Sequence, residues 1–286
     1  MRKELKLSLV QMCSTNHHDG NIALMREHVA RAAGEGAELV CFPEVSGLMN
    51  RDKHASLEQI VPEAEDPYLA ACRAAAEEFG VWIHTGSTPV KADNDPRFLN
   101  RSHLLRDDGS IAATYDKIHL FDVDLPDGKR IRESDRYAPG EQLVMPDTPW
   151  GPFGMTVCYD LRFPQIYREY GQAGATVVFV PSAFAVNTGK THWQPLLQAR
   201  AIENGCFVIA AAQSGRHDDG RTTYGHAIAI DPWGHVMVDM ENGLGATLLT
   251  LDLESVAKTR QMIPSLANEQ SYRSLTETPR PLKAAG

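Results

Sequence analysis

The chain has no apolar run approaching the roughly 20 residues that cross a bilayer, so a helical membrane protein is not expected. It also lacks an excess of positive charge. Lys and Arg total 28 against 37 Asp and Glu, a formal charge of −9, so neither nucleic acid nor an anionic membrane is the expected partner. Cysteine is scarce. Cys13, Cys41, Cys72, Cys158 and Cys206 are odd in number and show no CxxC spacing. That pattern argues against a zinc site or disulfide framework and fits free thiols in a reducing cytoplasm. HExxH, GxGxxG and GxxxxGK[ST] are all missing, which removes the usual support for metalloprotease, dinucleotide and P-loop readings. The N-terminus, MRKELKLSLVQM, reaches Gln11 before a signal-like apolar core develops, so no signal peptide is expected.

What is present is a chain of 286 residues, 43% of them hydrophobic, enough to bury a large core. Strand-like and helix-like runs alternate throughout. Residues 5–10, 38–42, 81–86, 177–180 and 207–212 read as strands. Ile22, Met25 and Val29 recur at helical spacing, with Asp19 or Asn21 available as a cap. Residues 66–79 and 192–203 also read as helices. SHLLRDDGSIAATY is a hairpin turning at Asp108-Gly109, and GHAIAIDPWGHVMV turns at Asp231-Pro232-Trp233-Gly234, in type I order. Polar loops are expected around Asn94 and Asp127. The expectation is one α/β domain over 1–264, two sheets with helices outside, and a tail over 265–286.

Three stretches carry candidate chemistry. GMTVCYDLRFP puts Cys158 between an apolar run and a segment, 160–168, that reads as the first turns of a helix. Buried structural cysteines are commoner than reactive ones. A thiol at a helix start, however, meets free N–H groups that favour the thiolate. LVCFPEVS and VVFVPSAF echo each other, each an apolar strand stopped by proline. Ligands gather beyond strand carboxyl ends in α/β folds, which makes Glu44, Ser182 and Cys158 expected neighbours. Glu44 is either a capping or surface carboxylate or one with a raised pKa that takes a proton. In ATYDKIHLFD, an extended backbone puts Tyr115, Lys117 and His119 on one face, although a lone strand lysine is usually solvated. Thiol, carboxylate and ammonium together suit acyl transfer at a carbon–nitrogen bond. None of the eleven histidines sits in a cysteine-protease signature.

FPE around Glu44, YDKIHLFD around Lys117 and CYDLRFP around Cys158 resemble the nitrilase (carbon–nitrogen hydrolase) superfamily, in its order and over nearly the whole chain. The resemblance implies an αββα four-layer sandwich, a Glu44–Lys117–Cys158 triad, amide hydrolysis through a thioester, and no metal or organic cofactor. It also implies a second glutamate after the lysine, Glu133 in RESDRYAPG, positioning Lys117 or substrate. The segment from PSAFAVNTGKTHW to YGHAIAIDPWG is similar to the branch holding deaminated glutathione amidase and omega-amidase. AAAQSGRH followed by YGHAIAIDPWG is more similar to the former, which implies deaminated glutathione as the small amide substrate and a homodimer or higher homo-oligomer. Arg162, Tyr159, Phe184 and Thr188 are the expected substrate-binding residues, with Arg162 free for a substrate carboxylate or else paired with an acid such as Asp160. Omega-amides of keto acids and N-carbamoyl amino acids are rival substrates, and a non-catalytic binding protein is the rival class. Cys41, Cys72 and Cys206 are expected in the core, Cys13 at a strand end within reach of the site, Trp193 and Trp233 in packing, and His226 in a hairpin hydrogen bond.

Overall fold

A computed structural model describes residues 1–124, 128 and 130–271. The polar loop expected around Asp127 and the tail from 272 onward lie outside the described residues. Among the described residues, one sheet runs in the order Thr222–Tyr224, Ala212–Arg216, Glu4–Met12, Leu39–Cys41, Trp82–His84, Phe98–Leu105, Thr88–Lys91. Gly245–Asp252 pairs antiparallel with Glu4–Met12, and Ile111–Asp116 with Phe98–Leu105. The second sheet runs Val236–Asp239, Ile228–Ile230, Phe207–Ala210, Val177–Phe179, Gly151–Met155, Asp147–Thr148.

Period-2 alternation divides the first sheet's side chains between two cores. Leu7, Leu9, Leu39 and Cys41 face the second sheet, in one cluster with Phe153, Met155 and Phe179. Their neighbours Val10, Val40 and Phe42 face outward, onto Met25 and Val29 of helix His18–Gly34 and Leu69, Cys72 and Ala76 of helix Pro67–Phe79. Helices Pro164–Gln172 and Val186–Asn204 bring Tyr167, Tyr170, Trp193 and Leu197 to the core on the side of the second sheet. The result is the αββα four-layer sandwich.

Local differences from the sequence reading have local causes. Strand 207–212 is two strands: Phe207–Ala210 belongs to the second sheet, and Ala212–Arg216 has crossed to the first. The helix expected over 192–203 begins earlier, at Val186, and runs through Pro195. The turns of helix expected over 160–168 are instead a 3₁₀ segment, Cys158–Arg162, and a separate helix from Pro164. Pro164 suits a first helical position, where no N–H is needed, and disfavours helical geometry at Phe163. Neither Asp19 nor Asn21 caps the first helix. Asn21 is buried instead, holding Thr15 and the Gly47 carbonyl. Asp66 does cap its helix, accepting from the Leu69 N–H at 2.6 Å. Both hairpins form as read, with Gly234 N–H donating to the Asp231 carbonyl at 3.0 Å. Trp193 is buried, but Trp233 is 44% exposed and is not a packing residue.

Candidate active site

Glu44 lies just beyond Leu39–Cys41, at the carboxyl ends of the first sheet's parallel strands. Its placement depends on Gly86, whose φ is +71°; a Cβ there would meet the Pro43 carbonyl oxygen at 1.8 Å. Lys117 follows strand Ile111–Asp116, its N–H bonded to the Asn100 carbonyl at 3.0 Å. Cys158 opens its 3₁₀ segment with φ +49°, and Val45, beside Glu44, has φ +50°. Such conformations cost about 1–3 kcal/mol each and persist only where surroundings hold them.

The three groups converge in a buried cluster. Lys117 Nζ donates to Glu44 Oε1 at 2.9 Å and to both oxygens of Glu133 at 2.9 Å. Glu44 Oε1 also accepts from Asn100 Nδ2 at 3.0 Å, and Oε2 from the Ala183 N–H at 2.8 Å. Cys158 lies near enough to both groups for the charges of Glu44 and Lys117 to act on its thiol. Glu133 is anchored in turn by the Phe121 N–H at 2.6 Å. Glu44, Lys117 and Cys158 are all buried.

Electrostatics departs from two sequence expectations. Burial would push the Glu44 carboxyl up, but Lys117, the Cys158 thiol and the Ala183 N–H outweigh it and hold Glu44 below the ordinary carboxylate value. Glu44 is therefore an ionised carboxylate, not a carboxyl of raised pKa. The Cys158 thiol goes the other way. Burial, followed by the Glu44 charge, lifts it well above the ordinary thiol value, and Lys117 only partly opposes them. A helix start does not by itself make the thiolate here. The proton has an acceptor in Glu44, so ionisation can be coupled to attack. Lys117 is pulled down by burial but raised well above its ordinary value by Glu133 and Glu44, and stays an ammonium.

The expected neighbour Ser182 turns away, its hydroxyl donating to the Val180 carbonyl at 3.0 Å. The next residue supplies the contact, through the Ala183 N–H. Arg162 does not pair with Asp160. Its guanidinium lies 5.6 Å over the Phe184 ring and contacts His192 Nδ1 at 3.2 Å, and among the described residues it has no acidic partner. Thr188 lies in the first turn of helix Val186–Asn204 and donates to the Ala185 carbonyl at 3.3 Å. Tyr159 packs apart from that group, its ring against Phe121 and Phe163. Asn100, Ala183 and Asp160 were not singled out from sequence as parts of the site. Only Asp160 carried a signal, its place two residues after the cysteine.

The remaining cysteines are core residues or peripheral. Cys41 and Cys72 are buried and pushed up by burial, and Cys206 is pushed up to about 12 for the same reason. Cys13 contacts His217 Nδ1 at 3.5 Å. His226 makes its hairpin bond, Nδ1 to Asp239 at 3.0 Å. Among the described residues, no group of three His, Cys, Asp or Glu side chains is arranged to hold a metal.

Residues 6–261 match the carbon–nitrogen hydrolase family. The chain is 38% identical over 275 residues to the deaminated glutathione amidase of Yersinia enterocolitica, covering 96% of each. Among solved structures it is similar to the C. elegans NitFhit protein, with a TM-score of 0.88 and 33% identity, over 94% of this chain and 65% of that longer one. Saccharomyces cerevisiae Nit3, a member of branch 10 of the nitrilase superfamily, superposes with a TM-score of 0.83 at 26% identity, over 92% and 96% of the two chains. The chain belongs to the carbon–nitrogen hydrolase family, and it is an amidase.

Proposed function

We propose that this amidase hydrolyses deaminated glutathione to 2-oxoglutarate and cysteinylglycine, through a thioester on Cys158. The observation that carries the chemistry is the buried Glu44–Lys117 pair, joined at 2.9 Å, with Cys158 buried within reach of both charges. Glu44 takes the thiol proton as sulfur attacks the amide carbonyl carbon. Lys117 and the Tyr159 N–H, on the first turn after the nucleophile, stabilise the oxyanion. The carboxylic acid then formed at Glu44 protonates the departing nitrogen, and the carbon–nitrogen bond breaks. Glu44 next takes a proton from water as it attacks the thioester and returns that proton to the departing thiolate, releasing the acid and restoring the thiol and the carboxylate. Glu133 orients Lys117 from the side opposite Glu44.

Similarity to the Yersinia enterocolitica amidase supports the substrate, and so does Arg162. A guanidinium without an acidic partner suits the carboxylate of a keto-acid arm, with Phe184 as an apolar wall and Thr188 as a hydrogen-bonding group. The working form is a homodimer in the cytoplasm, one domain over 1–264 with a tail beyond. No helix among the described residues is long and apolar enough to cross a membrane. Hydrolysis of deaminated glutathione, 2-oxoglutaramate and N-carbamoyl amino acids, measured side by side, tests the assignment. A kcat/KM for deaminated glutathione below that of either rival would overturn it. Light scattering that gave 31.5 kDa at micromolar concentration would rule out the dimer.

A further inference from the structure

Asp160 is fully buried, and its carboxylate accepts four hydrogen bonds. Oδ2 takes the Val157 N–H at 2.8 Å and the Tyr115 hydroxyl at 2.7 Å. Oδ1 takes the His119 N–H at 3.0 Å and His119 Nδ1 at 2.8 Å. A carboxylate has about four lone-pair sites, so this one is full. The donors come from two parts of the chain far apart in sequence. Val157 immediately precedes Cys158, while Tyr115 and His119 lie two residues to either side of Lys117.

We propose that Asp160 is a positioning residue that locks the Cys158 turn to the Lys117 segment, so that thiol, ammonium and Glu44 keep one register. The inference rests on the reading of Cys158 as nucleophile. Cys158 has a left-handed backbone that nothing in its own side chain favours, so its neighbours must hold it. On one side, its N–H bonds to the Pro181 carbonyl at 3.0 Å. On the other, Asp160 holds the preceding N–H. The same carboxylate holds the residues two before and two after Lys117. His119 is held for its role by stacking on Phe163, with ring centroids 3.5 Å apart and planes 10° apart. Burial, then the charge of Asp160, keep the Tyr115 phenol protonated and donating.

Asp160→Asn, Tyr115→Phe and their combination test this by steady-state kinetics. An asparagine offers one oxygen and one NH₂, so either the Val157–Tyr115 pair or the His119 pair faces a donor. Misplacing a reacting group by about 1 Å costs about a hundredfold in rate, which is the loss expected in kcat for Asp160→Asn, with about tenfold for Tyr115→Phe. KM should stay within about twofold, since neither residue touches substrate, and labelling of Cys158 by iodoacetamide at fixed pH should slow in parallel. The double variant should be no worse than Asp160→Asn alone, because the hydroxyl acts only through the carboxylate. If Asp160→Asn fails to fold, Tyr115→Phe decides. Unchanged kcat and labelling in folded Tyr115→Phe, or losses that multiply in the double variant, would overturn the inference. Cys158→Ala measured alongside separates the two readings. If it is active, the nucleophile assignment fails; if it is inactive while Tyr115→Phe matches wild type, only the positioning role fails.

Discussion

Lys117 Nζ and Glu44 Oε1 are 2.9 Å apart, both nearly inaccessible to water, although 73 positions separate them in the chain. An ion pair so buried is costly unless its remaining sites are also bonded. Here they are, by Glu133 on the lysine and by Asn100 and Ala183 on the glutamate. The pair fixes the charge of both partners over the neutral range.

That arrangement sets a pH dependence. Glu44 is held below its ordinary value of 4.5, so its contribution to stability is full above that value and is lost as pH falls through the folded-state pKa. Lys117 is raised, so its contribution is full below 10.5 and is lost only as pH rises through its higher folded-state value. Thermal melting should therefore be flat in this respect from about pH 5 to 10 and fall on the acid side. In Glu44→Gln that acid-side loss should be smaller, and an unaltered acid limb would show that Glu44 is not its source.

Thiol reactivity should depend on the carboxylate. With the Cys158 thiol raised well above the ordinary value, almost none is thiolate at neutral pH unless Glu44 accepts the proton. Glu44→Gln should abolish hydrolysis, a loss of at least about a hundredfold, because no carboxylate remains to take the thiol proton. Wild-type turnover in this variant would remove Glu44 as the base.

Cys158→Ala and Cys158→Ser should fold and lose hydrolysis by about three or more orders of magnitude, since a serine hydroxyl is far harder to ionise than a thiol. Quenched turnover of the wild type should leave an acyl adduct on the peptide carrying Cys158, seen by mass. Near-normal turnover by the alanine variant would end the covalent mechanism.

Arg162→Met should separate substrates. A charged hydrogen bond is worth about 1.5–3 kcal/mol, so kcat/KM on a keto-acid amide should fall about ten- to a hundredfold. An uncharged amide should be hydrolysed nearly as before. Equal losses on both would show that Arg162 does not read a carboxylate.

Gly86→Ala tests how Glu44 is placed. The added Cβ would overlap the Pro43 carbonyl and strain a left-handed backbone, so the strand end carrying Glu44 must shift. Destabilisation of about 3 kcal/mol or more is expected by chemical denaturation, with kcat falling in whatever folds. Wild-type stability would mean that the Pro43 carbonyl gives way without cost.

Much of this protein was already determined by its sequence, wherever the physics is local. Alternation along Glu4–Met12 and Leu39–Cys41 follows from two-residue periodicity, and the turns at Asp108-Gly109 and Asp231–Gly234 follow from backbone preferences of the residues in them. Glu44, Lys117 and Cys158 stand out in the sequence because three short motifs carry them, and Glu133 because RESDRYAPG follows the lysine motif. Element ends were less so. The segment after Cys158 read as one helix because polarity and spacing allow it, while the break at Phe163 comes from the ring of Pro164. Tertiary structure alone decided the charge states. Neither the lowered Glu44 nor the raised Cys158 follows from neighbours in sequence, because each is a balance between burial and charges brought in from distant segments. The same holds for Asp160 and Arg162, three and five positions past Val157. One is bound by four donors and the other, among the described residues, has no acidic partner, a difference set largely by which remote segments fold against them.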